Sequence, residues 1–269
     1  MKKRVPGYFI FLVAVCVIML TLVLWVLIDK INSIDPESEQ IQSLYSYLGD
    51  NNLEYCEGLP FYTSKEINSE KMDKGLKLCL AFKQIEKDDI KADTLKKSKK
   101  EDACNFNKDK QFRLNKDNKE CSVEIVALDD LSNSYYKLFG EKLKESDDFN
   151  LSGSRSCFYD EKEGRYVCGD ILVQTLQLGW APTIFRMISK VKEKGDKIYL
   201  YDYFIAMNNN KCYLTNKGDK ENSKCSDKID ENTKYNSRFV AKYGQEYLHV
   251  FEKNDDGSSY HWISTTAQN

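Results

Sequence analysis

The longest pattern in the chain is an apolar one: Tyr8–Ile28 carries no charge over 21 positions, with Lys2, Lys3 and Arg4 before it and Asp29 and Lys30 after it. A helix rising about 1.5 Å per residue would cross a hydrocarbon layer roughly 30 Å thick over that length. Basic residues beside a span resist translocation, so the pattern predicts a single pass with residues 1–30 as cytoplasmic tip and anchor and the rest outside. Three other readings stay open. A cleaved signal peptide has a shorter apolar region ending in a small-x-small site. Acylation at Cys16 requires a small residue where Val15 stands, and pilin-like processing after Gly7 requires glutamate where Leu12 stands.

Past the anchor, 31–37 reads as a polar stalk and 38–269 as one folded unit. Pro36 followed by Ile41, Leu44, Tyr45 and Leu48 predicts a helix stopped at Gly49. Met72, Leu76, Cys79 and Leu80 form a second helical stripe. Leu131, Tyr135, Leu138 and Phe139 form a third, with Asp129 or Asp130 as cap and Gly140 just past the end. Between the second and third, about 83–120 is rich in Lys, Asp, Glu and Asn and reads as a solvated helix end followed by a long surface loop. From Cys157 onward the period becomes two, the mark of an antiparallel sheet. Lys197–Met207 sets Ile198, Leu200 and Phe204 on one face and Tyr199, Tyr201 and Tyr203 on the other. Residues 184–192 fit either a strand or a helix. Tyr247–Lys253 and Tyr260–Ser264 flank an Asn-Asp-Asp-Gly-Ser turn and predict a hairpin. The class is α+β: an N-terminal transmembrane helix, then helices packed on an antiparallel, disulfide-stapled sheet.

Charge narrows the partners. With 40 basic and 42 acidic side chains and a net charge of −2, no field steers polyanions toward the chain, so nucleic acid is not expected. Eight of the nine cysteines lie outside the apolar span, an even number for a compartment where disulfides persist. Folding 157–168 about Glu161-Lys162-Glu163-Gly164 opposes Asp160 to Arg165, Tyr159 to Tyr166, Phe158 to Val167 and Cys157 to Cys168. The same fold-back opposes Cys212 to Cys225. Pairing neighbours gives Cys104–Cys121 and Cys56–Cys79. The cysteines are too widely spaced for zinc knuckles, and no metal or cofactor is expected.

Candidate chemistry is sparse. His249 and His261 lie on opposite arms of the last hairpin, near-neighbours if it turns on Asp255-Asp256 but short of a third metal ligand. Ser134 and Lys137 match an SxxK string without its companion elements. Glu252, Asn254, Asp256 and Gly257 resemble part of a calcium loop, with Ile263 where its last glutamate belongs. Asn150-Leu151-Ser152 is a glycosylation sequon. The aromatic residues are more suggestive: Tyr199, Tyr201, Tyr203, Trp180 and Trp262 could line a face that stacks on sugars or peptides.

The anchor together with abundant Lys, Asn, Asp and Tyr resembles uncharacterised signal-anchored extracytoplasmic proteins of bacteria with AT-rich genomes. The terminal YGQEYLHVFEKNDDGSSYHWIS is similar to the closing hairpin of NTF2-like domains. The resemblances imply a cell membrane location and transfer no catalytic residue. The expected role is an envelope module that binds or scaffolds, with a protein or glycan partner. A cell-wall hydrolase or transpeptidase acting through Ser134 or an unrecognised carboxylate is the alternative.

Overall fold

The computed structural model describes residues 14–21, 33–49, 56, 60–63, 65–99, 101–107, 109–117, 119–144, 146–172, 183–208, 211–213, 225 and 237–268. Within the proposed span, residues 14–21 are helical and expose Val17, Ile18, Met19 and Leu20. The remainder of Tyr8–Ile28 lies outside the described residues, and among those described no helix is long and apolar enough to cross a membrane.

Beyond residues 14–21, four named α-helices and thirteen strands make up the described fold. The helices are α1 (Glu39–Tyr47), α2 (Lys74–Lys83), α3 (Leu128–Phe139) and α4 (Ser237–Tyr243). Sheet A runs β1 (Ile67–Asn68), β13 (Tyr260–Ala267), β12 (Gln245–Lys253), β10 (Lys197–Asn208) and β11 (Lys211–Tyr213), with β9 (Thr183–Lys194) on the other edge of β10. Sheet B runs β2 (Lys91–Lys96), β5 (Glu120–Ala127), β8 (Arg165–Asp170), β7 (Arg155–Asp160) and β6 (Phe149–Ser152). A small hairpin, β3 (Ala103–Asn105) with β4 (Gln111–Arg113), completes the set. All pairings are antiparallel. The fold is therefore mixed helix and antiparallel sheet, stapled by disulfides.

Helices α2 and α3 pack on each other and touch both sheets, α2 against β6 and α3 against β13 and β5. A single core results, running from Tyr166 and Cys168 in sheet B through Leu78 and Leu138 to Leu200, Phe251 and Trp262 in sheet A. Two smaller clusters cover outer faces: α4 closes one end of sheet A over Phe185 and Ile205, and β3–β4 lays Phe112 against Val123 and Val167. Gly140 ends α3 at φ +68°. A Cβ there would also stand 2.6 Å from the His261 ring, so glycine is demanded by backbone and space together.

Several sequence readings are corrected. The stretch 83–120 is not one loop but carries β2, β3 and β4. Exposed β2 is an edge strand whose polar side chains hide its period, and the β3–β4 hairpin buries only the scattered Ala103, Cys104 and Phe112. The cap of α3 is Ala127, with Asp129 and Asp130 in the first turn facing the helix dipole. Met72 precedes α2, which Asp73 caps by accepting from the Leu76 N–H. The proposed stalk is tied down: Ser33 bridges to Lys192 and the Ile34 N–H donates to the Val191 carbonyl. Residues 184–192 are strand.

Candidate functional site

Alternation along β10 sends Ile198, Leu200, Asp202 and Phe204 inward together, and the same alternation turns His249 in β12 and Thr265 in β13 toward the core. An aspartate in that row must find partners, since a buried unpaired carboxylate is costly. It finds four. Tyr62 donates to Asp202 Oδ2 at 2.7 Å and Tyr45 at 3.1 Å, while His249 Nε2 meets Oδ1 at 2.9 Å. The fourth is the guanidinium of Arg186 in β9, whose charge lies beside Asp202 and Tyr62; it sits 4.2 Å from the Tyr45 ring and donates to the Tyr45 carbonyl. On the far side of the imidazole, His249 Nδ1 lies 2.7 Å from Thr265 Oγ1, which also accepts from Trp262 Nε1 at 3.0 Å. One tautomer satisfies every donor: indole N–H to Thr265, Thr265 O–H to Nδ1, and Nε2–H to the carboxylate. Burial, then the Asp202 charge, pushes both phenols well above the ordinary tyrosine value.

Asp202, His249 and Thr265 thus reproduce the carboxylate–imidazole–hydroxyl order of a hydrolytic triad. Their relative exposures are 0, 0 and 1%, so no substrate carbonyl reaches the hydroxyl. The array organises the core and supplies no nucleophile. Ser134 is likewise buried in α3.

The open chemistry lies on sheet B. At the end of that sheet Asp93 and Thr94 of β2, Ser122 and Glu124 of β5, Arg155 of β7 and Asp170 of β8 line a depression of about 600 Å³. Arg155 stands opposite Asp170 and reaches across β8 to Glu124, Nη2 to Oε2 at 2.6 Å. A second depression of about 620 Å³ adjoins it at Asp170 and adds Lys97, Asp102, Arg113 and Lys116. The linings mix carboxylates, cations and hydroxyls. Such surfaces recognise polar, hydroxyl-rich ligands by paired donors and acceptors.

The aromatic face foreseen from sequence divides. Trp262 is fully buried on the inner side of sheet A, edge-on to Phe61. Tyr203 lies beneath the end of α4, its Cβ against Gly244. Trp180 lies outside the described residues. Only Tyr199 and Tyr201 share the open outer face, paired in register with Lys192 and Lys190. The hairpin histidines are not cross-strand neighbours either: His249 opposes Thr265 and His261 opposes Glu252, because the turn spans Asn254–Ser259 and a bulge follows Val250. His261 Nδ1 instead donates to Asn254 Oδ1 at 2.6 Å, and Asp256 accepts from Ser258, so the calcium-like oxygens serve the turn. Among the described residues no group of three or more His, Cys, Asp or Glu could hold a metal ion. The Asn150 side chain accepts from Ser156 within sheet B.

All four sequence-suggested cysteine pairs are joined, with Cα–Cα separations of 5.6 Å for Cys56–Cys79, 6.1 Å for Cys104–Cys121, 4.0 Å for Cys157–Cys168 and 5.9 Å for Cys212–Cys225. Cys16 is free. The signal that escaped the sequence reading was Asp202, a charged residue in an otherwise apolar inward row. No family model matches the chain, and neither a curated protein nor a solved structure matches it.

Proposed function

We propose that the chain is a membrane-anchored, extracytoplasmic binding module of the cell envelope, with the mixed-charge cleft of sheet B as its ligand site and an envelope glycan as its ligand. The carrying observation is that cleft: Asp93, Thr94, Ser122, Glu124, Arg155 and Asp170 converge on an open depression. The triad-like array of Asp202, His249 and Thr265 is sealed in the core. An open surface of interspersed donors and acceptors, with Arg155 already engaged by Glu124, favours binding over turnover. The uncharged 21-residue stretch behind Lys2, Lys3 and Arg4 supports the anchor, and four disulfides support an oxidising compartment.

Titration with soluble peptidoglycan fragments tests the reading. The unaltered chain should bind, while Arg155→Ala and Asp170→Asn should each weaken binding at least several-fold with the fold retained. Equal affinity in all three chains would remove the cleft from the account, and release of new reducing ends on incubation would favour the hydrolase.

A further inference from the structure

The outer face of sheet A changes character along its length. At one end α4 covers Phe185, Met187 and Tyr203. Beyond the bulge at Ser189 the face is open and forms a ladder: Lys190, Lys192 and Lys194 on edge strand β9, then Lys197, Tyr199 and Tyr201 on β10, then Leu248 and Val250 on β12. Lys190 and Lys194 are exposed, and Lys190 Nζ lies 5.7 Å from the centre of the Tyr201 ring. Four lysines, at 190, 192, 194 and 197, stand on this face against two acids, of which Glu252 pairs with Lys197 at 3.2 Å and Glu246 accepts from Ser189. The open end is therefore cationic along its edge and aromatic to aliphatic inward.

The position of this edge is set by the chain that leads to it. Ser33 is bridged to Lys192 and stands only five positions beyond Ile28, the end of the apolar stretch. Fully extended, five residues reach at most about 18 Å. Lys190 and Lys194 lie about 7 Å along the strand on either side of Lys192. Whatever path those residues take, the lysine column stands within a short distance of the bilayer surface. Lysine beside tyrosine is also the composition that settles at a membrane–water interface, the ammonium at headgroup level and the ring at its boundary.

We infer that the open Lys190–Lys194 and Tyr199–Tyr201 face of sheet A lies against the membrane that carries the anchor and contacts its anionic phospholipid headgroups. The inference rests on the anchor in the proposed function and adds an orientation to it. With sheet A down on the bilayer, the same chain has one lipid-facing surface and keeps the sheet B cleft as a separate surface for ligand.

Photocrosslinking in reconstituted vesicles tests it. The full chain is placed in phosphatidylcholine vesicles with or without phosphatidylglycerol, carrying benzoylphenylalanine in place of Tyr201 or, as a control on sheet B, of Tyr159. The chain should float with the vesicles, and the probe at position 201 should crosslink phosphatidylglycerol several-fold more than the probe at 159. Combining Lys190→Glu, Lys192→Glu and Lys194→Glu should abolish that excess while the chain still floats. A chain that fails to float overturns the anchor and the inference together. Floating with equal crosslinking at the two positions, or an excess unchanged by the triple substitution, overturns the inference alone.

Discussion

His249 shows how one side chain ties distant parts of the sequence together. It links Asp202 of β10 to Thr265 of β13, and through Asp202 it reaches Tyr45 and Tyr62. Replacing it with leucine leaves a buried carboxylate short of a donor, so His249→Leu should destabilise the fold by about 3–5 kcal/mol in denaturant melts. Tyr62→Phe, which removes one hydrogen bond to a charged acceptor, should cost about 1.5–3 kcal/mol. Tyr45→Phe should cost less than Tyr62→Phe, because its bond is longer and its side chain less completely buried. His261 predicts a pH dependence. Burial pushes its pKa below the ordinary imidazole value, and the charges of Glu252, Asp255 and Glu141 only partly oppose this. The folded state thus resists protonation, so the stability it contributes is complete above the ordinary value of about 6.5 and is lost as pH falls from there through the depressed folded value. Melts at pH 7.5 and 5.5 should show a loss that His261→Gln reduces; an unchanged slope would show that His261 is not its source.

Between Cys157 and Cys168 the register was legible to the residue. A four-residue turn ending in Gly164, at φ +61°, and a period of two on both arms left one alignment with partners on matching faces. The Cys157→Ser, Cys168→Ser pair should therefore cost about 2–4 kcal/mol yet leave the fold intact at low temperature. Non-reducing peptide maps of the unaltered chain should show these two cysteines joined to each other. Elsewhere the same reasoning lost phase, for identifiable causes. In β9 the bulge at Ser189 inserts a residue, so the inward positions run 184, 186, 188 and then 191. The spacings 184, 188 and 191 then imitate a helical stripe, which is why strand and helix could not be told apart. A bulge near Val250 and a longer turn likewise displaced the histidine register. β2 escaped because an edge strand that faces solvent on both sides has no apolar period to read.

For the whole chain, the division into helices and sheet was readable while the number of sheets was not. Two sheets share one core through α2 and α3, and that sharing depends on contacts between residues far apart in sequence, such as Phe139 of α3 edge-on to Trp262 of β13, their ring centres 6.3 Å apart. The proposed topology predicts that protease added outside intact cells removes the region after Ile31 and spares the N-terminus. A mature chain beginning after residue 28 would contradict it. The pairing of the cysteines carries one more consequence, for the order in which such a chain is made. Each bridge joins a cysteine to the next one along, with partners 23, 17, 11 and 13 positions apart and no bridge enclosing or crossing another. Threaded outward as the proposed topology requires, the chain would present Cys56, then Cys79, then Cys104, so each thiol still unpaired would meet its native partner as the next arrival. Oxidation in order of emergence then gives the native set directly, and an oxidant suffices where chains with interlaced bridges need an isomerase to undo their first mistakes.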